Sequence, residues 1–414
     1  MDKFRAQLRL TRDAAQILAT LPISTRRGIL RTLASRLKYK KKDLLRANKR
    51  DIEKAKKRGR NNAFIDRLTL TDKRFNSMLV QVKNIARSRD VLHRVIESRR
   101  LPQGMILKKI SVPLGVIGII YESRPNVTID VAALCIMSGN AAVLKGGSDA
   151  LNTNRLLSRC VQYSLKRRGA PQAAVNFLDT KDRSVVEALV KENEYIDVVI
   201  PRGGYELVRK IVRQSRIPIL YHAEGGARIY VDKHADLRKA IQICINAKTD
   251  HPATCNSVDT VLVHGKIARR FIPEMVRVFK SEGVEVRGDP ESKRFAKIHS
   301  ANASDYSAEF LDRIVVLKVV KSTEEAIAFI RRFSKKHTEG IVSRNKKTVA
   351  AFVNSIDAAG IFVNCSTRLH DGGIFGLGAE MGIATGKLHA RGPVGLKELA
   401  TYKWVMYGSG QIRN

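Results

Sequence analysis

In the stretch NAKTDHPATCNSVDTVLVHG, residues 246 to 265, one cysteine sits in a short polar turn between a helical pattern and the strand-like run TVLVH. A thiol there has two readings. Cysteine is among the most buried residue types and packs as a small hydrophobe, which is the reading for Cys135, Cys160 and Cys244, each inside an apolar pattern. Cys255 instead has polar neighbours, Thr254, Asn256 and Ser257, and Pro252 fixes a turn ahead of it. That is the setting of an accessible, activated nucleophile. From the local sequence alone, structural thiol and nucleophile both stay open.

Two glycine turns carry a second kind of chemistry. In VLKGGSDA (143–150) a strand runs into Lys145, Gly146, Gly147 and Ser148; in IPRGGYE (200–206) a strand runs into Arg202, Gly203 and Gly204. Glycines let a ligand approach the backbone, N–H groups point outward at a helix start, and a cation sits alongside. Either turn alone is as well explained as an ordinary strand-to-helix connection. Two in succession at strand ends suit a ligand crevice at the carboxyl edge of a parallel sheet. The glycine fingerprints of standard dinucleotide and P-loop sites are absent. Nine histidines form no HExxH, and five cysteines, an odd number, form no CxxC. No metal site and no disulfide framework are therefore expected, and the cysteine usage fits a reducing compartment.

The elements that must position these residues point to an α/β fold. Residues 1–97 read as helical, with Ile29, Leu30, Leu33 and Leu37 on one stripe. Pro102 and Gly104 mark a hairpin turn near 98–112. From 114, strands LGVIGIIYE, AAVLKGG, AVNFL and IDVVIP alternate with helices. A second alternating set holds ARIYVD, TVLVH, RIVVLKVV and IFVNC. Such alternation predicts parallel sheets covered on both faces. The tail TYKWVMYGSGQIRN reads as a closing strand that needs a partner edge, from the hairpin or from another subunit.

The chain of 414 residues, 44% apolar, is long enough for two or three domains. No apolar run reaches the ~18–20 residues of a membrane span, and the charged N-terminus lacks the core of a secretion signal. A cytoplasmic location without membrane partners is expected. The net charge is +37, and residues 1–100 hold 29 Lys and Arg against 9 Asp and Glu. Such a field favours anionic partners, but aromatic residues are scarce near the basic run 39–60. Without a stacking platform, nucleic acid is not the expected main ligand.

Five segments in order resemble the gamma-glutamyl phosphate reductase family of the aldehyde dehydrogenase superfamily: VPLGVIGIIYESRPNVTIDVAALCIMSGNAAVLKGG, IPRGG, NAKTDHPATCN, VNCSTRLHDGGIFGLGAE and KLHARGPVGLKELATYKWV. The resemblance spans essentially the whole chain. It implies an aldehyde-dehydrogenase-like fold of two doubly wound α/β domains plus a small β oligomerisation element. Residues 1–97 and 113–223 form the cofactor-binding domain, 224–394 the catalytic domain, and 98–112 with 395–414 the oligomerisation hairpin and C-terminal strand. The implied activity is NADPH-dependent reduction of L-glutamyl 5-phosphate through a cysteine thioester, in proline biosynthesis. Cys255 is the implied nucleophile and Asn126 the oxyanion-binding asparagine. Lys145, Gly146, Gly147, Ser148, Arg202, Gly203, Gly204 and Glu309 are implied to hold NADPH or NADP. Arg124, Arg368, His389 and Arg391 are candidates for substrate contact. Homo-oligomers and coupling to glutamate 5-kinase are the implied partnerships.

Two residue pairs depart from the family pattern. Asp250-His251 stand where the family has Gln-Arg, and Ala227-Arg228 where it has Cys-His. A carboxylate at 250 raises a nearby thiol's pKa and repels an anionic substrate; Arg228 restores positive charge if it lies close. Glu224 falls near the place of a hydrolytic base, but an acyl-phosphate reductase needs none, so its position is read as coincidence. Two alternatives remain: another aldehyde or acyl dehydrogenase of this fold, and a basic nucleic-acid-associated protein on an enzyme relic.

Overall fold

The computed structural model describes residues 2–221 and 224–413. Five helices open the chain, Asp2–Thr20, Ile23–Tyr39, Lys41–Lys57, Asn62–Leu68 and Asp72–Arg87. The Asn61 and Thr71 side chains cap the last two by accepting the N–H groups of Phe64 and Arg74. Ile29, Leu30, Leu33 and Leu37 are fully buried as the stripe requires. Each contributes about 1.5–3 kcal/mol by leaving water.

They pack towards the helix Pro125–Met137, in which every residue except Asn126 is buried. Its all-round apolar sequence follows from that placement. Pro125 occupies its first turn, where a missing N–H costs nothing.

Under these helices lies a parallel four-stranded sheet in the order Val175–Phe177, Ala141–Gly146, Val116–Tyr121, Val198–Arg202. The order reverses between the last two strands, which puts a crevice at their carboxyl ends. The second sheet has seven parallel strands, in the order His299–Ser300, Glu285–Gly288, Ile314–Val320, Val258–His264, Ala227–Val231, Thr338–Val342, Gly360–Val363. Mixed α/β architecture with parallel sheets is thus as expected.

Three of those strands have no counterpart in the sequence reading, and Thr338–Val342 is the instructive one. Its sequence TEGIV carries a glutamate and a glycine where a buried strand calls for branched apolar residues. Glu339 is nevertheless fully buried, and it accepts the backbone N–H of Arg228 on the neighbouring strand at 3.1 Å. The Arg228 guanidinium, 3.7 Å away, offsets part of the cost of that burial, which still raises the Glu339 carboxyl pKa to about 7.

A third, antiparallel sheet joins Val95–Arg100, Ile106–Pro113 and Ala400–Tyr407. The hairpin begins before residue 98, at Val95. The partner edge for the terminal strand comes from the same chain, in register from Ala400 opposite Pro113 to Tyr407 opposite Ile106. Among the described residues no helix is long and apolar enough to cross a membrane.

Candidate active site

Cys255 lies in the turn between the helix Leu237–Thr249 and the strand Val258–His264, at the amino edge of the seven-stranded sheet. The turn is tied down from three sides. The Cys255 carbonyl accepts the N–H of Gly226 at 2.6 Å. Asn256 donates from Nδ2 to the His370 carbonyl at 3.0 Å, and its own carbonyl accepts Thr367 Oγ1 at 2.8 Å. Arg368 donates to Asp250 at 3.1 Å, to Thr254 Oγ1 at 2.9 Å and to Asn256 Oδ1. The carboxylate at 250 is thereby neutralised by Arg368. Arg228 plays no part in this, because it is buried beside Glu339, at 3.7 Å.

Gly225 packs directly against the thiol residue. A Cβ at 225 would stand 2.3 Å from Cys255 Cβ and 2.4 Å from Glu309 Oε1, so no side chain fits. Glu309 accepts the Gly225 N–H, and its carboxyl is raised above the ordinary range chiefly by burial. Burial also pushes the Cys255 thiol up; Arg202 pulls it down, and Glu309 and Glu380 push it further up. The remaining thiols are free as well, with Cys135, Cys160 and Cys244 buried and Cys365 half-buried.

Facing the thiol are the carboxyl-end loops of the four-stranded sheet. A cavity of about 600 Å³ is lined by Arg124, Asn126 and Asp130 on one side and by Ala253 and Leu311 on the other. Arg67, from the helix Asn62–Leu68, completes its wall. Burial, then the charges of Arg202 and Arg67, lower the Arg124 pKa to about 10, while the thiol of Cys255 draws it up. Arg124 stays a cation at neutral pH. Asn126 Nδ2 donates to Asp130 Oδ2 at 3.0 Å, which fixes the amide while its second proton stays free. Asp130 is buried, and burial raises its pKa to about 7.

A second cleft, of about 450 Å³, opens at the strand-order switch. Lys145, Gly146, Gly147 and Ser148 line it, with Lys181 and Arg183 opposite and Ile120, Val186, Leu207 and Ile211 as an apolar floor. The Gly147 backbone lies so close to Ser123 that a Cβ would meet its Oγ at 2.6 Å. Glu122 joins the two strand ends: its N–H donates to the Arg202 carbonyl at 3.0 Å, and Oε1 accepts the Gly204 N–H at 2.8 Å.

The structure therefore separates residues that the sequence grouped. Lys145 and Gly146 to Ser148 line the cleft, and Gly203 and Gly204 border it through Glu122. The Arg202 guanidinium instead reaches Gly382 and acts on the thiol, and Glu309 sits against Gly225. Arg124 lines the thiol cavity, and Arg368 braces the cysteine turn. His389 and Arg391 lie elsewhere: His389 binds the Glu398 carbonyl at 2.9 Å, and Arg391 pairs with Asp357 at 2.7 Å, as Lys387 does at 3.0 Å. Glu224 pairs with Lys335.

Several residues at the site went unread in sequence, among them Arg67, Glu122, Asp130, Lys181, Arg183, Gly225 and Glu380. Only Asp130 had a local signal, four positions after Asn126, the spacing at which side chains on one helix meet.

Comparison with known proteins is consistent over the whole chain. The sequence profile described as aldehyde dehydrogenase family matches residues 2–313. A gamma-glutamyl phosphate reductase of Thermotoga sp. (strain RQ2) is 41% identical over 414 residues, covering 100% of both chains. One from Clostridium kluyveri is 43% identical over 401 residues, 97% of this chain and 96% of its own. The crystal structure of gamma-glutamyl phosphate reductase from Thermotoga maritima superimposes with a TM-score of 0.97 at 40% identity, covering 99% of this chain and 100% of that one.

Proposed function

The chain belongs to the aldehyde dehydrogenase family, among its gamma-glutamyl phosphate reductases, and from that premise we propose how its residues convert L-glutamyl 5-phosphate to L-glutamate 5-semialdehyde and phosphate. The observation that carries the reading is a cavity walled by Arg67, Arg124 and Asn126 that Ala253 of the cysteine turn also lines, with Arg124 in electrostatic reach of the Cys255 thiol.

Cys255 Sγ, as thiolate, attacks the acyl carbon; the C–S bond forms, the bond to the phosphate oxygen breaks, and phosphate leaves with the electron pair and takes up a proton. The thioester keeps the acyl group activated without releasing it. The free proton on Asn126 Nδ2 and the Cys255 N–H meet the charge that develops on the carbonyl oxygen. Arg124 and Arg67 attract the departing dianion, and Arg202 favours the thiolate before attack and after release. Glu224 supplies no base for water, because its carboxylate is engaged by Lys335. That favours transfer to phosphate over hydrolysis.

The residues of the second cleft fit a phosphorylated dinucleotide. Its apolar floor suits an adenine, and Lys145, Lys181 and Arg183 suit the extra phosphate of NADPH. A reduced nicotinamide held there would supply the hydride for the thioester carbon, and Cys255 would leave that carbon as the thiolate. The exposed Tyr402, Trp404 and Met406 on the three-stranded sheet favour pairing with a second copy of the chain.

The test is a single turnover in reverse. L-glutamate 5-semialdehyde and NADP⁺ without phosphate should give a burst of one reduced nicotinamide per active site. Peptide mass analysis should then find a glutamyl group on Cys255. A burst with the acyl group on another cysteine would overturn the assignment.

A further inference from the structure

Glu380 is a costly residue where it stands. Its field acts on Cys255 and disfavours the thiolate, and it faces a substrate whose reacting end is a dianion. Its partners do not account for it. One oxygen accepts the Gly372 N–H at 2.9 Å, and among the described residues no Lys, Arg or His nitrogen pairs with it. Arg202 acts on it only through its field. This happens in a chain with 76 Lys and Arg, where a cation is rarely far from a carboxylate.

The other carboxylate beside the thiol, Glu309, is engaged by Gly225. Glu380 instead lines a cavity of about 810 Å³ between its own loop and the helix Asp72–Arg87. Ser77 and Gln81 line both this cavity and the one that holds Arg67, Arg124 and Asn126, so the two adjoin. The wall facing Glu380 carries Lys73, which likewise has no acidic partner among the described residues.

We propose that Glu380 holds the α-ammonium of the substrate and Lys73 its α-carboxylate, so that this cavity selects an acyl phosphate ending in an α-amino acid. The proposal rests on the acyl-phosphate reading above and deepens it. The two cavities then divide the substrate: three cationic or amide groups for the acyl-phosphate end, and Glu380 with Lys73 for the zwitterionic end, the other carboxylate there, Asp371, being engaged by the Gly373 and Ile374 N–H groups. The ammonium is the only cationic group the substrate has, and a carboxylate is tolerable beside the thiol if that cation covers it.

The experiment compares phosphate-dependent NADP⁺ reduction with L-glutamate 5-semialdehyde and with 5-oxopentanoate, the same chain without the amino group. Wild type should prefer the amino substrate by ~10²-fold in kcat/KM, the scale of a charge-assisted hydrogen bond. Glu380→Gln should shrink that preference to within ~10-fold, with the loss falling on the amino substrate. A purely structural Glu380 would lower both substrates alike, and that result overturns the proposal. Equal use of both aldehydes by wild type overturns it without any variant. Activity with neither aldehyde is a different result, since it removes the acyl-phosphate reading itself.

Discussion

At the scale of single residues, a thiol that burial holds protonated must be made to react. Arg202 is the cation that opposes burial at Cys255. Arg202→Met should move the pH profile of Cys255 alkylation to higher pH and slow alkylation at pH 7.5; an unchanged profile would show that the guanidinium does not reach the thiol. Asn126→Ala should lower turnover by ~10²–10³-fold with little change in cofactor affinity, as for loss of one oxyanion donor. Gly225→Ala should cost at least ~10²-fold in turnover, because its Cβ would occupy the space of Cys255 and Glu309. Asp130 gives a prediction of a different kind. Its pKa of about 7 in the fold lies above the ordinary 3.8, so it binds its proton more tightly folded than unfolded. Its contribution to stability is complete below the ordinary value and is lost as pH rises towards about 7. Asp130→Asn should flatten that part of the stability curve, as read by chemical denaturation from pH 4 to pH 8.

At the scale of elements, the site is made where the carboxyl-end loops of one parallel sheet face the amino edge of another. The strands with regular apolar patterns, such as Val116–Tyr121 and Val258–His264, were legible in the sequence because burial on both faces selects for them. Thr338–Val342 was not, because the partners that accommodate its glutamate, the Arg228 N–H and guanidinium, lie on a strand more than a hundred positions away. Arg228→Met alone leaves Glu339 buried without its cation and should cost ~3–5 kcal/mol in equilibrium unfolding. The same contrast governs the site. Cys255 and Asn126 announced themselves, the first by its polar turn and both through the family resemblance. Arg67, Glu380 and Lys73 could not, since no local pattern marks residues that meet only through tertiary packing. The departures at Asp250 and Arg228 also needed coordinates: Arg368 answers the first, and Glu339 accounts for the second.

At the scale of the whole molecule, the charge of +37 acts as a general field. It draws in an anionic substrate and an anionic cofactor, and it strains the fold by self-repulsion. Raising salt from 0.01 M to 0.3 M should raise the melting temperature while raising KM for the phosphorylated substrate, because screening weakens both effects. The central claim is that the acyl group passes through Cys255 to phosphate rather than to water. The most direct test follows NADP⁺ reduction with L-glutamate 5-semialdehyde as phosphate is varied, in wild type and Cys255→Ala. The account predicts steady turnover that depends strictly on phosphate and vanishes in Cys255→Ala. Steady turnover without phosphate, or activity that survives in Cys255→Ala, would contradict it.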